Sequence, residues 1–184
     1  MLQYLPNALT LSRLLLAAPL GYLILHEHFA WALATGLIAG ITDALDGFAA
    51  RRLGALSRLG AALDPVADKV LITVAFLCFA HTGLIPWYLA IAVIARDLII
   101  VVGAACYQWF IGDFEFSATQ LSKVNMLIQI AFCTLVLAAQ LTAVIPAIAV
   151  TAASAAVLFV AGASGFDYVM KWSIKALEQR RRMD

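Results

Sequence analysis

Apolar residues run through this chain in six blocks of about twenty, each broken by a short polar or breaker-rich stretch. The blocks fall near 8–26, 29–52, 60–80, 86–110, 118–140 and 146–170. Blocks of that length match the hydrocarbon thickness of a bilayer when wound as helices. The separators are HEH at 26–28, LGALSRLG before residue 62, HTGLIP at 81–86, GDFEFSAT at 112–119 and the Thr142 to Pro146 turn. The pattern predicts an all-α integral membrane protein of six transmembrane helices, organised as one domain over 1–184. The last block turns charged after Phe166 and should outrun the bilayer.

Composition agrees with this pattern. Of 184 residues, 64% are hydrophobic and 12% charged, and the mean hydropathy is +0.96. A soluble domain has too little surface to hide so much apolar sequence. The net charge of +1 says little, but its distribution is informative. Arg51, Arg52 and Arg58 sit between the second and third blocks, and Lys171, Lys175 and Arg180 to Arg182 sit in the tail. The three opposite connections hold no Lys or Arg. The positive-inside rule then puts both termini and the second connection on the cytoplasmic side. The opening MLQYLPNALTLSR has neither a basic n-region with a small-residue cleavage site nor an Arg-rich transit pattern. A bacterial inner (cytoplasmic) membrane location is therefore expected. Cys78, Cys106 and Cys133 lie apart in apolar runs and read as small buried hydrophobes. No internal repeat is evident, and no nucleic-acid partner is expected.

Against this background, residues 43–68 stand out: DALDGFAARRLGALSRLGAALDPVAD. Asp43 and Asp46 are spaced i, i+3 near the end of the second block; Asp64 and Asp68 are spaced i, i+4 at the head of the third. On helices each pair shares a face. Carboxylates at membrane-helix ends are costly and point to function. Four together repel and call for cations, and an all-oxygen set suits Mg²⁺, Mn²⁺ or Ca²⁺. Gly47, Ala50 and Gly60 leave a hollow beside them, although small residues also serve ordinary helix packing. Arg51 offers a fork suited to phosphate oxygens. Interfacial caps or solvated charges would explain one or two aspartates but not the set.

Further along, Arg96 lies in the middle of the fourth block and must pair or face a polar cavity. Asp97 is adjacent and should point elsewhere. Lys123 and Asn125 lie near the start of the fifth block. Arg96 reads either as half of a structural pair or, with Lys123, as a contact for an acceptor phosphate. Lys69 reads as a charge snorkelling to the interface. Asn7 and Thr10 could cap the first helix or reach a nucleotide.

The spacing D-x2-D-G-x2-A-R-x8-G-x3-D-x3-D, carried here by Asp43, Asp46, Gly47, Ala50, Arg51, Gly60, Asp64 and Asp68, resembles the signature of the CDP-alcohol phosphatidyltransferases. The resemblance implies an enzyme that moves a phosphatidyl group from CDP-diacylglycerol to an alcohol and releases CMP in phospholipid biosynthesis. It also implies two Mg²⁺ or Mn²⁺ ions held by Asp43, Asp46, Asp64 and Asp68, Asp68 as the catalytic base, and a homodimer. Gly47, Ala50, Arg51, Gly60 and Asn7 would bind the CDP-lipid, and Arg96 and Lys123 the acceptor. Within the family, IPWYLAIAVIARDLIIVVGAACY, SKVNMLIQI and SGFDYV look most like the cardiolipin synthases, which use phosphatidylglycerol as acceptor. Phosphatidylglycerophosphate synthases, which use glycerol-3-phosphate, are the alternative. They commonly carry a second arginine eight residues after the first, where this chain has Ala104; against the cardiolipin synthase choice, Met126 replaces the threonine of the expected SKVNT pattern. A cation- or proton-coupled transporter would also place aspartates in a membrane. It would not require Gly47, Arg51 and Gly60 at fixed offsets, and usually brings an internal repeat.

Overall fold

The computed structural model describes the backbone of residues 5–53, 58–111 and 120–180, and the side chains of 14–42, 69–103 and 120–170. It is all-helical. Its helices are α1 (Leu5–Leu25), α2 (Phe29–Leu53), α3 (Arg58–His81), α4 (Trp87–Ile111), α5 (Gln120–Leu141) and α6 (Ala147–Arg180). They correspond to the six apolar blocks, and α6 continues into the charged tail. α1 starts at Leu5, so Asn7 and Thr10 lie inside its first turns and are not its N-cap. An N-cap residue stands just outside the helical backbone, which rules out that capping role.

The chain stops its helices where the breakers lie. After α1, Glu27 takes a left-handed backbone (φ 60). His28 N–H then donates to Leu23 C=O at 2.8 Å and Glu27 N–H to Ile24 C=O at 3.0 Å. After α3, Gly83 takes the same role (φ 75), with Leu84 N–H donating to Phe79 C=O at 2.9 Å. Both are Schellman-type ends that satisfy carbonyls which would otherwise lack partners. Such satisfaction is worth most in a bilayer, where no water can replace it.

α1 packs against α2 and α3; α3 packs also against α4 and α5; α2 meets α5, and α6 meets α4 and α5. The core joins Ile24, Phe76, Phe79, Leu89, Val93, Phe132, Val136 and Val157, all buried. The Phe76 and Phe132 rings lie 5.6 Å apart, linking α3 to α5. Gly21 lets α1 approach α3 closely, because a Cβ there would stand 3.0 Å from Val74 Cγ1. Close approach of this kind is what holds helices together in lipid, where the hydrophobic effect between them is weak.

Among the described residues the exterior is largely apolar. Trp31 on α2, Leu127 on α5 and Phe159 on α6 are about 70% exposed, and Tyr88, Ile91 and Leu98 line the outside of α4. Such a surface is that of a protein solvated by lipid. Among the described residues, α5 and the Ala147–Met170 part of α6 are each long and apolar enough to cross a membrane.

Candidate active site

The aspartate motif straddles the α2–α3 junction. Asp43, Asp46, Gly47, Ala50 and Arg51 lie in the last turns of α2, and Gly60, Asp64 and Asp68 in the first turns of α3. Both segments are helical, so the i, i+3 and i, i+4 spacings do put each pair on one helix face. The side chains of these eight residues and of Asn7 lie outside those described. Their donor set, four carboxylates and no sulfur or imidazole, has the chemistry of a hard divalent cation site.

Among the described residues, α2 leans on α1 and α5, and α3 on α1, α4 and α5. Between them lies an apolar cavity of about 90 Å³. Gly36, Ala39 and Gly40 of α2 face it, with Leu71, Ile72 and Ala75 of α3 and Met126 and Ile130 of α5. Small residues on α2 make this gap: a Cβ on Gly36 or Gly40 would meet nothing within 4 Å. The gap sits one turn from Asp43 along α2 and one turn from Asp68 along α3.

A second polar region adjoins the motif. Arg96, on α4, is only 7% exposed. Its Nη1 donates to Asp97 Oδ1 at 2.5 Å, and its Nη2 donates to Ser122 Oγ on α5 at 3.1 Å and to Ser164 Oγ on α6. The guanidinium stands 6.0 Å from the centre of the Tyr168 ring, at the outer reach of a cation–π contact. Asp97 also takes Lys69 Nζ at 3.6 Å. Because Lys69 follows Asp68 directly, this ion pair sets Arg96 level with the end of the aspartate motif.

Two expectations are corrected here. Asp97 does not point away from Arg96. Adjacent helical positions diverge at Cβ, but a guanidinium on three methylenes can swing back, and a buried charge takes the nearest carboxylate. Lys69 is not a free snorkelling charge; its side chain is 33% exposed and pairs with Asp97. On α5 it is Ser122 that reaches Arg96, while Lys123 is exposed. Ala104 and Cys106 have side chains outside those described; Cys78 is buried and Cys133 half-buried.

Ser122, Ser164, Tyr168 and Gln129 were not singled out from sequence. Ser122, Asn125 and Gln129 follow i, i+3, i+7 on a mostly apolar helix, and that shared polar face is the signal the sequence offered. Asn125 and Gln129 are both buried.

A profile of the CDP-alcohol phosphatidyltransferases matches residues 3–163. The chain belongs to the CDP-alcohol phosphatidyltransferase family. Enzymes of this family use a CDP-alcohol donor and an alcohol acceptor and generally depend on a divalent metal. Among relatives, cardiolipin synthase (CMP-forming) of Rattus norvegicus is 47% identical over 97 residues, which is 52% of this chain and 32% of the rat protein. A putative cardiolipin synthase of Mycobacterium tuberculosis is 32% identical over 119 residues, 64% of this chain and 56% of that one. The chloroplastic CDP-diacylglycerol--glycerol-3-phosphate 3-phosphatidyltransferase 1 of Oryza sativa is 38% identical over 100 residues, 54% of this chain and 30% of that one. The match thus spans about a third of the length of the rat and rice relatives and about half of the mycobacterial one.

Proposed function

We propose that this chain transfers the phosphatidyl group of CDP-diacylglycerol to phosphatidylglycerol, forming cardiolipin and CMP. The observation that carries the reading is the eight-position motif at the α2–α3 junction, with the buried Arg96 tied to it through Asp97 and Lys69. Asp43, Asp46, Asp64 and Asp68 would hold two Mg²⁺ or Mn²⁺ ions. Bound there, the ions would neutralise pyrophosphate oxygens and stabilise the leaving phosphate. Gly47, Ala50 and Gly60, with Asn7, admit the cytidine part, and Arg51 holds the pyrophosphate. Asp68 takes the proton of the acceptor hydroxyl. The hydroxyl oxygen bonds to the phosphatidyl phosphorus, the bond from that phosphorus to the bridging oxygen breaks, and CMP leaves with the electron pair.

The acceptor choice rests on charge. Arg96, Lys69 and Asp97 together leave one positive charge, which suits the single negative charge of the phosphatidylglycerol phosphodiester. Lys123 adds a second contact at the cytoplasmic edge. A phosphomonoester carries nearly two charges and is held best by several free cations. The relatives named cardiolipin synthase support the same choice. The rice relative favours the second reading, with glycerol-3-phosphate as acceptor. In either case the chain is one membrane domain of six spans in a bacterial inner membrane. Termini and active site face the cytoplasm, and the chain works as a homodimer.

The test is an acceptor panel on purified protein with CDP-diacylglycerol and Mg²⁺ or Mn²⁺. CMP release with phosphatidylglycerol and appearance of cardiolipin are expected. Incorporation of labelled glycerol-3-phosphate without cardiolipin would replace the first acceptor by the second.

A further inference from the structure

Three buried polar atoms have no partner within the described residues: Arg96 Nε, Asn125 Oδ1 and Gln129 Nε2. Arg96 is 7% exposed, Gln129 3% and Asn125 1%. An open donor or acceptor at such depth is costly unless something completes it. The three are not scattered. Ser122, which accepts from Arg96, begins a single face of α5 that continues through Asn125 and Gln129. At about 1.5 Å of rise per residue, roughly 6 Å of helix axis separates Asn125 from Gln129. One open acceptor and one open donor at that spacing match a single bridging hydroxyl, which both donates and accepts.

We propose that Asn125 and Gln129 form a hydroxyl-binding site for the alcohol acceptor. It takes the secondary hydroxyl next to the one that reacts, while Arg96 holds the acceptor's phosphate. The inference rests on the phosphatidyl-transfer reading and deepens it. Asn125 Oδ1 accepts a hydrogen bond from that hydroxyl, and Gln129 Nε2 donates to the same hydroxyl's oxygen. Phosphatidylglycerol and glycerol-3-phosphate share this glycerol unit, so the site selects glycerol-type acceptors over simple alcohols and leaves the choice between the two to the charge around Arg96. A site built to hydrogen-bond a hydroxyl rejects the analogue that lacks it, because its own polar groups are then left open.

The experiment compares each acceptor with an analogue that keeps the reacting hydroxyl and lacks its secondary neighbour. Phosphatidylglycerol is set against phosphatidyl-1,3-propanediol, and glycerol-3-phosphate against 3-hydroxypropyl phosphate, by CMP release with CDP-diacylglycerol. The wild-type protein should prefer the glycerol form of its acceptor by about tenfold or more in kcat/KM, the value of one or two buried hydrogen bonds. Asn125→Leu and Gln129→Met, close in shape, should each reduce that preference to about twofold while leaving the KM for CDP-diacylglycerol unchanged. Equal use of the two forms by the wild-type protein overturns the site and assigns the open atoms to internal water. Variants that fold and keep the full preference overturn it as well. CMP release with none of the four acceptors refutes the transfer reading and this site together, whereas release without discrimination refutes the site alone.

Discussion

The two polar regions of this molecule meet at Lys69 but are built on opposite plans. The α2–α3 junction carries four aspartates on two helices within 26 residues of sequence. The Arg96 cluster gathers one cation's partners from α4, α5 and α6, across 68 positions. The first sets four aspartates against Arg51, Arg52 and Arg58, an acidic excess that an added cation would relieve. The second neutralises itself in part through Asp97 and closes most of its hydrogen bonds within the protein. A region left in electrostatic deficit depends on its ligand; a region that balances itself contributes to the fold as well as to binding.

The largest effects should come from the deficient region. Chelation should abolish turnover, with recovery on adding Mg²⁺ or Mn²⁺. Asp43→Asn, Asp46→Asn or Asp64→Asn should each lower kcat/KM by on the order of 10²-fold or more, with little change in folded stability. Full activity in a folded variant would remove that aspartate from the metal set. Asp68→Asn should reduce turnover more than it weakens donor binding, and an equal fall in both would withdraw Asp68 as base.

The self-balanced region should answer in stability. Asp97→Asn leaves Arg96 and Lys69 without their carboxylate. It should cost about 2 kcal/mol by reversible denaturation in micelles, the value of hydrogen bonds to charged groups. It should also raise the KM for acceptor by freeing Arg96 from its orienting partner. Unchanged stability would mean that the Arg96–Asp97 pair is worth no more than a surface contact.

Two glycines sharpen the contrast at smaller scale. Gly21→Ala puts a Cβ against Val74 in the α1–α3 contact and should cost about 1 kcal/mol. Gly40→Ala adds the same methyl to the open side of the α2 gap and should stay within about 0.5 kcal/mol. A reversal of that order, read from the same denaturation curves, would place the tight helix contact on α2.

Much of this was legible before any coordinates. Apolar blocks of bilayer length fold as helices because the backbone has no other way to satisfy itself in lipid, so the number and rough bounds of the helices followed from hydropathy. The breakers His26 to His28 and His81 to Pro86 marked real helix ends because their chemistry is local. The aspartate motif was legible for the same reason: fixed short spacings on a helix place side chains on a face without reference to any other helix.

Partners drawn from distant positions were not legible. Nothing in the spacing of Arg96, Ser122 and Ser164 says that three helices bring them to one guanidinium, and adjacency on α4 argued wrongly against Asp97. Nor does the sequence reveal that α2 and α3 lean on α1 and α5 and leave an apolar gap between them. The sequence by itself determined the helices, their ends and the acidic motif, because each depends on residues within a turn or two. Tertiary structure alone decided which buried polar groups found partners and which, on Asn125 and Gln129, were left open, because that depends on how close distant helices come and on what fills the space between them.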